Sequence, residues 1–355
     1  MVKILNVTDI RKLVQIIGLE NFFKQIISAL EQDFGRWNKF ILAPRYGMYF
    51  PDGVIELMPC ADQQLYTFKY VNGYPGNPLK GKLTVVALGL LSDVGSGYPL
   101  MITEMTLLTA FRTAATGVLA AKYLAREDAK SLAVIGTGAQ AEFQVLAFAG
   151  FFQLEEVRFF DSDPQAMVKF SRNLAGQKFR LIPCSNIVDA VRDADIVITA
   201  TAAKKRQSLF EIENISPGAY IHAMGGDSPG KTELSAEFLS QVKLVVEFKL
   251  QSLVEGEVQQ CTADLIYAEL WELVCKNKPG RQDNHEITLF DSVGFALEDY
   301  SILRIVYELA KEHQLGTESA LIPELNDPKD LFGLLSSYNI GNSPLFIGDI
   351  QNQIG

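Results

Sequence analysis

The spacing of apolar residues changes character along the chain. Leu19, Phe22, Phe23, Ile26, Ile27 and Leu30 recur at helical intervals, which predicts an amphipathic helix within the first forty residues. From residue 45 to 91 short apolar runs separated by Pro and Gly turns take over. Residues 48–50, 54–58, 67–71 and 83–91 predict an antiparallel, β-rich segment. Residues 103–126 read as a helix with Thr103 as its N-cap, and Ala110, Ala114, Ala115, Gly117, Ala120 and Ala121 allow it to pack closely. Beyond residue 131 the period alternates. Strands are predicted over 132–135, 157–160, 180–183, 195–201, 219–224, 243–248 and 287–291, with helices over 142–150 and 187–192 between them. Such alternation predicts a parallel sheet with right-handed crossovers, a doubly wound α/β domain. A helix over 298–312 then carries the chain back to the first part, which the last forty residues complete. The expected division is 1–128 with 315–355 as one α+β domain and 129–314 as the doubly wound one.

Charges interrupt this pattern at a few places. Glu56 lies between Ile55 and Leu57, Lys69 lies between Phe68 and Tyr70, and Arg45 follows Pro44 just ahead of the first strand. Strand alternation can point each of them to water, or the three can converge on a polar ligand. Arg112 has no acidic residue three or four positions away on its helix. It is either exposed or takes its counter-charge from elsewhere, and a substrate carboxylate or cofactor phosphate would supply one in bidentate fashion.

The strand at 132–135 runs directly into Gly136-Thr-Gly138-Ala139-Gln140-Ala141 and a helix. That context makes the turn a dinucleotide fingerprint of Rossmann type. Gly136 allows the tight turn, Gly138 lets the backbone approach a pyrophosphate, and Ala141 lets helix and strand pack closely. The next strand ends on Asp161, where a carboxylate accepts hydrogen bonds from the adenosine ribose and disfavours a 2′-phosphate, so NAD is expected over NADP. Ligands bind beyond the carboxyl ends of such strands, which draws attention to Thr201, to Met224-Gly225-Gly226-Asp227 and to Ser292-Val293. Asp227 is the expected acid-base group. Gly225 and Gly226 would leave room for the ligand, and a helix-like start at Ser228-Pro229 would fix the turn behind it; the alternative is that Asp227 caps that turn.

Composition narrows the function further. A net charge of -10 over 355 residues argues against a nucleic-acid or anionic-membrane surface, since both need clustered Lys and Arg. Cys60, Cys184, Cys261 and Cys275 have no metal-ligand spacing, so no metal is expected and the four read as buried thiols. The N-terminus lacks the apolar stretch of a signal peptide and no run is long enough to span a membrane, so the expected location is cytoplasmic. A small antiparallel sheet leaves edges that pairing across a two-fold would cover, which predicts a homodimer or higher homo-oligomer.

The stretches VIELMPCAD (54–62), AFRTAAT (110–116), AMGGDSPGKTEL (223–234) and FDSVGFALED (290–299) together resemble the ornithine cyclodeaminase and mu-crystallin family. FKYVNG (68–73), EGEVQQ (255–260) and DPKDLF (327–332) bring the similarity closest to its bacterial ornithine cyclodeaminases. The resemblance implies that Arg45, Lys69 and Arg112 hold an amino acid's α-carboxylate and that Glu56 and Asp227 face its amino groups. It implies cofactor contacts from Thr84, Ala139, Gln140, Asp161, Thr201, Met224, Lys231 and Ser292, with Val293 packing the substrate against the nicotinamide. It makes the first domain the substrate-binding and oligomerisation domain. Two positions depart from the pattern: Thr137 stands where close bacterial enzymes can carry Asn, and Met224 replaces a smaller apolar residue. The implied activity is a redox-neutral, NAD-dependent conversion of L-ornithine to L-proline and ammonia. Relatives that oxidise alanine, reduce ketimines, cyclise lysine or bind thyroid hormone with NADPH define the alternatives.

Overall fold

The computed structural model describes residues 1–203 and 205–336. Among them the chain forms two eight-stranded sheets. The first uses β1 (Val2–Leu5), β2 (Ile41–Leu42), β3 (Tyr46–Phe50), β4 (Gly53–Ala61), β5 (Leu65–Gly73), β6 (Val85–Asp93) and β7 (Pro99–Glu104). The second uses β8 (Ser131–Ile135), β9 (Glu156–Phe160), β10 (Arg180–Pro183), β11 (Ile196–Thr199), β12 (Tyr220–Ala223), β13 (Lys243–Val246), β14 (Ala268–Glu269) and β15 (Thr288–Asp291). A last strand, β16 (Thr317–Ser319), returns to the first sheet and pairs antiparallel with β1.

Strands β4, β5 and β6 form an antiparallel meander whose alternate residues face inward. Glu56, Met58 and Cys60 share one phase of β4, and the register sets them opposite Val71, Lys69 and Thr67 of β5. All six are buried. The period of two therefore carries Glu56 and Lys69 to the core face rather than to water. That face packs on the helices Thr106–Leu124 and Ala296–Glu312. The second of these crosses so close that a Cβ on Gly89 would meet Leu303 Cδ2 and Met105 Cγ, each at 2.7 Å.

Every pairing in the second sheet is parallel, in the order β10-β9-β8-β11-β12-β15-β13-β14. Strand order reverses between β8 and β11, which opens a crevice beyond their carboxyl ends. The Thr106–Leu124 helix lies against β12 and β15 and is buried almost all round. Gly117 allows that approach: a Cβ there would lie 2.3 Å from His222 Cε1.

Several local expectations change. Thr103 is not an N-cap; it pairs with Gly89 inside β7, and the helix begins at Thr106 after Met105. The first forty residues hold not one helix but β1 and two helices, Val7–Ile17 and Leu19–Phe34, broken at Gly18, whose φ of 81° no β-carbon favours. Strands β3 to β6 pair antiparallel throughout, as expected for residues 45–91, and outside them β1 adds a parallel pairing to β7. Of the four cysteines only Cys60 is buried; the others are part-exposed. Among the described residues no single helix is long and apolar enough to cross a membrane. Residues 337–355 of the expected first domain lie outside the described residues.

Candidate functional site

A cavity of about 560 Å³ lies between the inner face of the first sheet and the carboxyl ends of the second. Arg45, Glu56, Lys69, Thr84 and Arg112 line it from one side. Gly138, Ala139 and Gln140 from the turn after β8, Thr201 after β11, Met224, Gly225, Asp227 and Lys231 after β12, and Ser292 and Val293 after β15 line the other. Gly136, Asp161 and Gly226 do not reach the cavity wall.

None of the three cations on the sheet side is bare. Arg112, which has no partner on its own helix, is buried and takes its counter-charge from the Ala296–Glu312 helix: its Nη1 donates to Glu298 Oε2 at 2.7 Å and its Nε to Asp299 Oδ1 at 3.0 Å. Lys69 Nζ lies 2.9 Å from Asp299 Oδ2. Arg45 is held by two carboxylates and two carbonyls, although its Nε makes no hydrogen bond. Its Nη1 donates to Glu56 at 3.1 Å, its Nε lies 3.2 Å from Glu255 Oε2, and its Nη2 donates to the carbonyls of Val293 and Gly294. Burial, reinforced by the repulsion of Arg112, lowers Lys69 to about 8. Burial raises Glu255 to about 7 against the pull of Arg45, with Glu56 and Asp227 pushing the same way as burial.

Asp227 sits half-exposed at the cavity, paired with Lys231 Nζ at 2.9 Å. It bonds to that lysine and does not cap the turn. Residues 228–230 form a turn closed by Lys231 N donating to Ser228 O, not the start of a helix. Behind this loop three buried carboxylates form a ladder. Glu233 accepts from Thr201 N at 2.6 Å and Gly225 N at 3.1 Å; Glu257 accepts from Glu233 N and Leu234 N; Asp291 accepts from Glu257 N and Val258 N. The ladder joins the segments after β11, β12 and β13 to the end of β15. It also explains their glycines. A Cβ on Gly225 would lie 2.1 Å from the Glu233 carboxylate, one on Gly226 2.6 Å from Glu257 Oε1, and one on Gly256 2.7 Å from Asp291 Oδ2. Burial lifts Glu257 to about 9, helped by the charge of Asp291, and lifts Asp291 to about 7.

The turn after β8 treats its glycines differently. Gly136 has a φ of 96°, and a Cβ there would meet Ala200 O at 2.5 Å, so the residue just past β11 forbids a side chain. At Gly138 nothing lies within 4 Å of that position, and the backbone stands open to the cavity as a bound pyrophosphate requires. Asp161 Oδ2 accepts from Thr137 N at 2.6 Å and its Oδ1 from Asp163 N at 2.9 Å, which fixes the carboxylate beside the turn where a ribose would reach it. Lys169 Nζ donates to the carbonyls of Thr137 and Gly138 and pairs with Glu142, bracing the turn from behind. These residues fit a dinucleotide.

Residue-by-residue reading missed Glu233, Glu247, Glu255, Glu257, Asp291, Glu298 and Asp299 as structural partners of the site. The signal was present for two of them: Glu247 breaks an apolar run in the way Glu56 does, and Asp291 ends another.

The ornithine cyclodeaminase/mu-crystallin family model matches residues 7–314. An ornithine cyclodeaminase of Agrobacterium tumefaciens (strain Ach5) is 45% identical over 335 residues, 94% of this chain and 94% of the relative. A lysine cyclodeaminase whose structure describes recognition of L-lysine, L-ornithine and L-2,4-diaminobutyric acid superposes with a TM-score of 0.88 at 28% identity, covering 94% of this chain and 99% of the other. The Thermococcus litoralis Δ1-pyrroline-2-carboxylate reductase, solved with NADH and L-proline, gives 0.83 at 32% identity over 89% and 100%.

Proposed function

The chain belongs to the ornithine cyclodeaminase/mu-crystallin family, as an enzyme that works with NAD, and from that premise we propose that it converts L-ornithine to L-proline and ammonia without net oxidation. The observation that carries the proposal is the meeting of Arg45, Glu56, Lys69, Arg112 and Asp227 on the same cavity as the dinucleotide-facing Gly138, Thr201 and Val293. NAD, held by the 136–140 turn, Asp161, Thr201, Met224, Lys231 and Ser292, supplies the acceptor and then the donor for the hydride of the substrate α-carbon. Gly225 and Gly226 belong to the loop beneath it. Residues 129–314 carry the cofactor turn, and residues 1–128 carry Arg45, Glu56, Lys69 and Arg112 for the amino acid.

Glu56 and Asp227 line the cavity beside the three cations of the sheet side, and this set of groups suits a substrate with one carboxylate and two amino groups. Arg45, Lys69 and Arg112 orient its carboxylate; Lys69, lowered to about 8, regains charge stabilisation when that anion arrives. Glu56 and Asp227 face the amino groups. The terminal amine must be neutral to attack the α-imine, and Asp227 takes its proton and later returns one to the departing ammonia. Val293 packs the substrate toward the nicotinamide, and orientation of this kind contributes on the order of 7–11 kcal/mol.

Incubation with ornithine and catalytic NAD is expected to release proline and ammonia in equal amounts while NADH absorbance stays flat. Stoichiometric NADH would select an amino-acid dehydrogenase, and consumption of NADH with an added cyclic imine would select a reductase; lysine in the same assay separates the two diamino substrates. The outer face of the first sheet exposes Met48, Leu57, Val86 and Leu88, which suits burial against a second copy in a cytoplasmic homodimer. A monomer by sedimentation would overturn that part.

A further inference from the structure

Two fully buried carboxyl groups meet behind the segment that carries Val293. Glu298 Oε2 accepts from Arg112 Nη1 at 2.7 Å, whereas its Oε1 is buried with no donor in reach. Glu247 uses both oxygens as acceptors, Oε1 from Ser292 Oγ at 2.6 Å and Oε2 from Gly294 N. A buried carboxyl oxygen without a donor, in a group within hydrogen-bonding reach of a second buried carboxylate, is not sustained with both groups ionised. The surrounding charges agree: Lys69 and Arg112 face Glu247, Glu298 and Asp299, two positive against three negative, so one proton completes the balance.

We propose that Glu298 is a neutral carboxylic acid in the working protein, donating through Oε1 to Glu247, and that this hydrogen bond positions Ser292, Val293 and Gly294 relative to Arg112. Glu298 is thus a positioning residue that couples the cation at the substrate carboxylate to the segment packing the substrate from the cofactor side. Its effect on turnover rests on the function proposed above; the proton itself does not.

Burial is the main cause that lifts both carboxyls, and the charge of Glu247 lifts Glu298 further while Arg112 opposes it. The groups facing the pair are Arg112 from the Thr106–Leu124 helix, Lys69 from β5 through Asp299, and Asp299 from the same helix as Glu298, while Arg45 ahead of β3 acts on Arg112 rather than on the pair. An acid whose folded value lies above its unfolded one contributes stability that is complete below the unfolded value and is lost as pH rises through the folded one. Alkaline pH therefore sets two carboxylates against each other and frees the segment.

Glu298→Gln reproduces every hydrogen bond of the neutral acid and cannot ionise. Glu247→Gln turns an amide toward the Gly294 or Ser292 donor. At neutral pH, E298Q is expected to lower kcat/KM by less than about tenfold and E247Q by more than about a hundredfold. The alkaline fall in unfolding stability should be smaller in E298Q than in the parent, Lys69 titrating in both. The infrared spectrum at neutral pH should lose one protonated-carboxyl stretching band in E298Q. An intact band, an equal alkaline fall in stability, E247Q better tolerated than E298Q, or failure of E298Q to fold would each overturn the proposal. If the protein does not cyclise ornithine, the band and the pH dependence of unfolding still report on the proton, so the two readings fail separately.

Discussion

Gly225→Ala tests whether the loop beneath the cofactor is shaped by the protein's own carboxylates. A Cβ at this position falls 2.1 Å from Glu233 Cδ and Oε2, well inside contact distance. The carboxylate cannot swing aside without leaving Thr201 N and Gly225 N, which it accepts from at 2.6 and 3.1 Å in a buried setting. Each buried N–H left without an acceptor costs about 1–3 kcal/mol, so two cost about 2–6 kcal/mol. That is a large share of the roughly 5–15 kcal/mol that stabilises a folded protein. Urea unfolding of the parent, Gly225→Ala, Glu233→Ala and the double variant measures it. Glu233→Ala loses the same two acceptors but removes the obstacle, so the double variant should be no less stable than Glu233→Ala alone, with strong non-additivity. The KM for NAD should rise in Gly225→Ala because Thr201 and Met224 shift with the loop. Full stability and activity in Gly225→Ala, or additive losses in the double variant, would refute the reasoning.

Asp227→Ala should lower turnover by about 10²–10⁴-fold with NAD affinity little changed, measured by steady-state kinetics and cofactor titration; normal turnover removes it from the acid-base role. Asp161→Ser should narrow the preference for NAD over NADP, and equal affinity of the parent for both cofactors would contradict the assignment. Gly117→Ala places a Cβ 2.3 Å from the His222 ring and should destabilise by about 1–3 kcal/mol in thermal unfolding, with partial recovery in Gly117→Ala/His222→Ala; an unshifted transition would show that the helix can retreat from β12.

Much of the architecture is legible because its period is regular. The parallel sheet announces itself through apolar runs with helices between them, and the turn at 136–141 through its place between strand and helix. Glu56 and Lys69 were noticeable as charges inside apolar runs, yet only the register of β4 on β5 decides that both point inward. The partners of Arg112 could not be read locally, since Glu298 and Asp299 lie more than 180 residues away and meet it only when two helices pack. The glycines after β12 suggested room for a ligand, whereas the space at both positions is filled from behind by Glu233 and Glu257. Element ends failed where a ladder extended past a good capping residue, as at Thr103.

The central claim is that the hydride taken from the substrate is the one returned to it. L-Ornithine deuterated at the α-carbon, turned over with catalytic NAD in the presence of excess unlabelled NADH, tests this by mass spectrometry of the proline formed. The account predicts proline that keeps its α-deuterium, with ammonia in equal amount and the added NADH unlabelled. Proline carrying α-protium, with deuterium passing into the free cofactor, would contradict it.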